Sequence, residues 1–292
     1  MKREDIIKAG KIAKEVKIFA KRLIKKDMAL LDIAEKIENK IIELGGKPAF
    51  PTNLSINEIA AHYTPADNDK TKAHGLLKID FGVHISGWTS DTAFSLDLEN
   101  LEENKKLIQV SEEALKNAEK EIHKKITTGE IGKIIQETIE SKGYSPIVNL
   151  SGHQMEKYEL HAGLTIPNIN NKSTEELGEG IFAIEPFATK GNGKVKDGKE
   201  SEIYILINTK NVRSSIAREI LEFISEEYQT LPFCTRWLTK IFGAKALIGL
   251  KQLKENGNLH NFPQLIEISG AKVSQAENTI LLYQKEKIIT TE

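Results

Sequence analysis

The stretch Lys78–Leu96, KIDFGVHISGWTSDTAFSL, leaves this chain few ways to fold around it. Two alternating segments flank Ser86–Gly87, a pair suited to a two-residue hairpin turn. With Ile85 opposite Trp88 across the turn, Asp91 falls opposite Gly82 and Asp80 opposite Ala93. Side chains alternate along a strand, so Asp80 and Asp91 share one face as diagonal neighbours. Ile79, Phe81, Val83, Ile85, Phe94 and Leu96 take the other face. Two like charges held close on one sheet surface repel each other, and a bound cation would remove the conflict.

The rest of the chain is read around that hairpin. Residues 4–25 repeat apolar side chains at helical spacing, with lysines filling the other positions, and a second helix runs from Leu30 to Leu44 and stops at Gly45–Gly46. A turn-rich segment, AFPTNLSINEIAAHYTP, carries His62. After the hairpin come helices over 103–125 and 131–142, the second stopping at Gly143, and then a strand-like PIVNL at 146–150. Helix–helix–strand thus occurs twice, which suggests an internal duplication. A loop over 151–169 carries His153 and His161, and a short strand, GIFAIEPFAT, carries Glu185. Residues 191–200, rich in glycine and lysine, are expected as an exposed turn or flexible loop. Residues 212–256 are mostly helical, and the last strand, KVSQAENTILLYQ, carries Glu277.

Composition narrows the function classes. The 41 lysines and arginines nearly balance 42 aspartates and glutamates, so no global basic field calls for nucleic acid. The single cysteine, Cys234, rules out an internal disulfide and a cysteine zinc cluster. No apolar run approaches the roughly 20 residues of a membrane span, and the N-terminus is not that of a signal peptide. A soluble, cytoplasmic monomer is expected.

Four acids, Asp80, Asp91, Glu185 and Glu277, interrupt otherwise apolar strand segments, where each is costly without a partner. Carboxylates and imidazoles are the ligands that hard and borderline divalent ions take, and two-metal hydrolases share bridging carboxylates. Taken singly, an acid in a strand usually faces solvent, and His62, His153 and His161 read as ordinary loop histidines.

The words around these residues change that balance. FPTNLSINEIAAHYTP, KIDFGVHISG, GH followed by HAGLTIPNI, FAIEPFAT and VSQAENTILL resemble the type 2 methionine aminopeptidases, in the archaeal form that lacks a long charged N-terminal extension. The resemblance runs from the first helix to the last strand. It implies an α/β (α+β) pita-bread fold, with pseudo-twofold helix–helix–strand repeats around a curved antiparallel sheet. It also implies a catalytic domain of residues 1–205 and 263–292, with residues 206–262 as a helical insertion.

Carried onto this sequence, the resemblance makes Asp80, Asp91, His153, Glu185 and Glu277 the ligands of two divalent cations, whether cobalt, manganese, iron or zinc. Asp80 binds one cation, His153 and Glu185 the other, and Asp91 and Glu277 bridge. Water activated by the ions is the nucleophile, with Glu185 also considered as its proton acceptor. His62 and His161 contact the scissile peptide and stabilise the tetrahedral intermediate. Phe50, Leu160, Phe187, Ile203 and Phe262 build the methionine pocket. The implied activity is removal of the initiator methionine from nascent proteins when the second residue is small. The lysine-rich first helix and residues 190–200 are candidate ribosome contacts. Two departures stand out: Asn278, where histidine is common, is expected to matter little because it points to the opposite sheet face, and Phe262 replaces a common tyrosine. The rival readings are a prolidase or aminopeptidase P, and a non-catalytic binding module of the same fold.

Overall fold

A computed structural model describes residues 1–292. The first run comprises α1 (Arg3–Leu23), α2 (Leu30–Glu43), β1 (Lys47–Pro48), β2 (Asn53–Ile56), β3 (Ile59–Ala61), β4 (Leu76–Ile85) and β5 (Trp88–Asp97). The second comprises α3 (Glu102–Glu121), α4 (Thr128–Ser141), β6 (Ser145–Pro146), β7 (Ser151–Met155), β8 (Thr165–Pro167), β9 (Gly180–Ile184) and β10 (Phe187–Thr189). A long strand, β11 (Val195–Leu206), then leads into α5 (Ser215–Glu227), β12 (Phe233–Cys234), α6 (Thr235–Phe242) and α7 (Lys245–Glu255). The chain returns through β13 (Leu259–Glu267), β14 (Val273–Gln275), β15 (Asn278–Tyr283) and β16 (Glu286–Ile289).

Each run places two helices on one face of antiparallel strands. In α1 the residues Ile6, Ala9, Ala13, Val16 and Ala20 recur every three or four positions and are buried. The last four, together with Ile33, Ile37 and Ile41 of α2, cover Ile79, Phe81, Val83 and Phe94, the apolar face of the hairpin, whereas Ile6 packs in a separate cluster with Ala183 and Leu281. In the second run α3 and α4 cover Phe182, Ile184, Ala188 and Ile280 in the same way. α4 begins with a capping box, Thr127 with Glu130, whereas α2 begins at Ala29 with no side-chain cap.

The hairpin has the register expected of it: Ile85 pairs with Trp88, Gly82 with Asp91 and Asp80 with Ala93. Ser86 and Gly87 have φ of 51° and 86°, the positive pair that the tight hairpin turn demands. All strand pairs are antiparallel, and β16-β15-β9-β7-β8 forms the largest group. The halves meet along β5 and β15, where the Ala93–Glu277 bridge joins them. Thr279 Oγ1 reinforces that seam by accepting from Asp91 N at 2.7 Å and donating to Asp91 O at 2.8 Å.

Several segments differ from the expectation. PIVNL is a strand only at Pro146, because the Asn149 side chain takes up both backbone groups of Val195 and turns residues 147–150. His153 lies in a strand rather than a loop, paired across from Ala183. Residues 195–200 are not a free loop: they begin β11, which pairs with β13 through register shifts near Asp197 and Glu200. Low strand propensity is overridden there by the partner strand. Glu185 and Glu277 do not sit within strands but at breaks, the first at Pro186, whose missing N–H ends the ladder, and the second between β14 and β15.

Helices α5 to α7 have their own core, with Ile220, Ile224, Leu238 and Leu253 among its members. The block is tied to the first half by Arg236, which is fully buried and bonds Glu38 in a fork at 2.6 and 2.9 Å while donating to Pro65 O. No helix is long and apolar enough to cross a membrane.

Candidate metal centre and active site

One cavity of about 400 Å³ opens on the concave side of the sheet. Asp80, Asp91, His153, Glu185 and Glu277 all line it, and so do His62, His161, Phe50, Leu160, Phe187, Ile203 and Phe262. Strand alternation delivers the two aspartates from β4 and β5, and β7 delivers His153. The breaks after β9 and before β15 free Glu185 and Glu277 to turn into the same space.

The acidic cluster is tight. His153 Nε2 lies 3.6 Å from Asp91 Oδ2 and 3.7 Å from Glu185 Oε1. Asp91, His153 and Glu277 each offer one atom within 4.8 Å of the others. Asp80 is joined to Glu185 through Gln275, whose Nε2 donates to Asp80 Oδ2 at 3.3 Å and Glu185 Oε2 at 3.4 Å.

Electrostatics shows what the cluster lacks. Burial pushes the Asp80 carboxyl up to about 7. Asp91, Glu185 and Glu277 rise well above the ordinary carboxylate range, by burial first and then by one another's charge and that of Asp80. No lysine or arginine lines the cavity to offset them. His153 gives no help, since burial and then the charge of His161 hold it down to about 3. Asp80 Oδ1, Asp91 Oδ1 and Glu277 Oε2 are buried without any hydrogen-bond partner. Orphaned carboxylate oxygens around a neutral imidazole suit divalent cations of the borderline and hard kind.

His62 follows β3 with φ of 65°, and its Nδ1 lies 3.1 Å from Pro263 O. A carbonyl only accepts, so Nδ1 carries the proton and Nε2 presents a lone pair. Burial lowers His62 to about 4 and also lowers His161, so both are neutral at pH 7. The His161 ring meets His153 edge to face at 4.4 Å, and Phe262 packs between His62 and His260 at 5.3 and 5.1 Å. His84 is buried but stays outside the cavity, bonded to its own turn at Gly87 N.

Sequence reasoning missed Gln275 and Asn53. Gln275 was within reach, because it stands two residues before Glu277 and parity puts both on one face. Asn53 pairs across from Asp80 and also lines the cavity, its Oδ1 left without a partner. A single asparagine among turn formers gives no such signal.

The profile of metallopeptidase family M24 matches residues 4–217, so the chain falls in the class of M24 metallopeptidases. It is 46% identical to the methionine aminopeptidase of Methanocaldococcus jannaschii, covering 99% of this chain and 98% of the relative. The chain belongs to the methionine aminopeptidase family within M24. Among solved structures it is similar to the methionine aminopeptidase of Thermotoga maritima, with a TM-score of 0.72 and 22% identity over 100% of this chain and 98% of that one. A thermophilic Arx1 superposes with a TM-score of 0.81 at 16% identity, covering 99% and 91%. These two likenesses speak for the fold, which is the curled antiparallel pita-bread fold.

Proposed function

We propose that this chain removes the N-terminal methionine from peptides and nascent proteins whose second residue is small. The observation that carries the reading is the convergence of four carboxyls, three of them with an unpartnered buried oxygen, and His153 in one cavity that also has an apolar wall and two neutral histidines. In this reading Asp80 would hold one divalent cation, His153 with Glu185 the other, and Asp91 and Glu277 both. When bound, the cations supply Lewis acidity that lets water attack a peptide carbonyl near neutral pH. The donor set accepts manganese, iron, cobalt or zinc, so supply decides among them.

The chain's own groups do the rest. Glu185 takes a proton from the attacking water and gives it to the leaving amine. His161 donates to the oxygen on which charge develops. The proton on His62 Nδ1 is committed to Pro263 O, so His62 Nε2 accepts the N–H of the scissile amide rather than donating to the oxyanion. Phe50, Leu160, Phe187, Ile203 and Phe262 enclose the methionine side chain, and the crowded rim admits only a small next residue.

The test is release of methionine from Met-Ala-Ser by the full chain loaded in turn with manganese, iron, cobalt and zinc. No release with any cation would sink the reading, and cleavage of Ala-Pro peptides instead would move it to proline-specific chemistry. The same reading makes the protein a cytoplasmic monomer that meets chains at the ribosome, through α1 and residues 190–200. Gel filtration and ribosome co-sedimentation check those points. It also takes residues 206–262 as a subdomain inserted between 1–205 and 263–292. Replacing 209–256 by a short linker should leave a folded core, and an unfolded product would count against the division.

A further inference from the structure

The helical pattern sends most lysines of α1 to solvent, but Lys17 turns inward. Its Nζ donates to Thr92 Oγ1 at 2.9 Å, to Asn278 Oδ1 at 3.1 Å and to the Glu277 carbonyl at 3.4 Å. These contacts lie behind the carboxylates, on the reverse face of the sheet. Thr92 directly follows Asp91, and Asn278 directly follows Glu277. Alternation therefore sends Asp91 and Glu277 into the cavity and Thr92 and Asn278 back towards α1.

The seam they straddle has little ladder of its own. One bridge joins it, Glu277 N to Ala93 O at 3.0 Å and Ala93 N to Glu277 O at 3.4 Å. Side chains supply the remainder. Thr92 Oγ1 donates to Glu277 O at 2.8 Å, so that carbonyl takes three donors: a backbone N–H, a hydroxyl and the ammonium. Asn278 is gripped from the other half as well, since its Nδ2 donates to Glu119 of α3 at 2.8 Å and its Oδ1 accepts from Thr291 at 2.9 Å.

We propose that Lys17 is a positioning residue of the metal centre, stapling β5 to β15 so that the separation of Asp91 and Glu277 is set before a cation arrives. The proposal rests on the reading in which those two carboxylates bind metal. It departs from the expectation that Asn278 matters little: the residue does point to the opposite face, and there it accepts from Lys17 and would join the staple. Charge alone acts in the opposite sense, because an ammonium near a cation site repels the cation and its removal should tighten binding. The sign of the effect therefore separates positioning from mere charge.

The experiment is calorimetric titration of manganese into the metal-stripped full chain, for wild type, Lys17→Met, Thr92→Val and Lys21→Met. Lys21 lies one turn further along α1 and holds its ammonium over the Phe94 ring at 5.1 Å, so Lys21→Met removes a neighbouring charge without touching the staple. Lys17→Met should bind manganese about tenfold more weakly or worse, the range found when outer partners of ligands are lost. Thr92→Val should weaken binding in the same direction by less, and it answers the question if Lys17→Met folds poorly. Lys21→Met should bind as wild type or slightly tighter. Melting of the metal-free proteins separates a lost fold from a displaced ligand. Binding by folded Lys17→Met or Thr92→Val as tight as wild type, or tighter, overturns the proposal. A wild type that takes up no manganese overturns the metal-centre reading itself, and this inference with it.

Discussion

The two halves carry the same helix–helix–strand plan but bring their site residues together by different means. In the first half Asp80 and Asp91 come from neighbouring strands of one hairpin, whose register is set by the two-residue turn at Ser86–Gly87. In the second, His153 comes from the middle of β7 and Glu185 and Glu277 from breaks beside β9 and β15, and their convergence depends on β7 pairing with β9 and β9 with β15. One pair is placed by local geometry, the other set by pairings between distant residues, His153 with Ala183 and Ile184 with Asn278. The first arrangement needs only its own turn and ladder, whereas the second needs two ladders in register at once.

The largest test of this contrast uses the two bridging candidates. Asp91→Ala in the first half and Glu277→Ala in the second should each reduce methionine release to background and weaken both cation sites, whereas His153→Ala should empty mainly one. Calorimetric stoichiometries that fall alike for all three variants would break the assignment. The two histidines sharpen it next. His161→Ala should lower kcat by about 10²–10³-fold, as loss of an oxyanion donor does. His62→Ala should cost about 10²-fold in proton handling at the amide. Equal losses from both, with identical pH profiles, would undo the distinction drawn from the Pro263 contact.

A pH dependence follows from the buried carboxyls. The folded pKa of Asp80 is raised from 3.8 to about 7, and those of Asp91, Glu185 and Glu277 rise with it. Between the ordinary carboxyl range and about pH 7 the folded, metal-free chain holds protons that the unfolded chain has released. Its stability should therefore fall as pH rises through that window. Thermal melts in chelator should show Tm decreasing towards neutral pH. Asp80→Asn in the first half and Glu185→Gln in the second should each flatten the slope. A metal-free Tm that climbs with pH across the window would contradict this.

The smallest test concerns the helices. Thr127→Ala removes the cap of α4 and should cost about 1 kcal/mol in denaturant unfolding, whereas Ala29→Ser, at the uncapped start of α2, should add up to about 1 kcal/mol. No change from either would mean the caps do not distinguish the halves.

Much of this could be read along the chain. Apolar spacing marked the four long helices within a few residues, and Gly45 and Gly143, both at positive φ, marked where two of them stop. The hairpin register was readable because turn and alternation are short-range. The strand breaks at Glu185 and Glu277 were not, although Pro186 was a visible hint. The strand at 195–200 was hidden, because glycines and lysines carry little strand preference until β13 supplies a partner. The inward course of Lys17 was hidden as well, since a helical pattern shows which face is apolar but not what waits behind it.

The sequence by itself determined which residues share a face: Asp80 with Asp91, the apolar side chains of the hairpin on its other side, and the apolar stripe along α1. Alternation and the helical repeat are properties of the backbone over a few residues, and they need no partner. Tertiary structure alone decided that the two aspartates meet His153, Glu185 and Glu277, and how deeply each lies, Asp91, His153 and Glu277 buried and Asp80 and Glu185 partly so. Burial and mutual charge raise those carboxyls, and both depend on what other parts of the chain bring close. The hairpin made a repelling pair, and only the second half turned that pair into a cage.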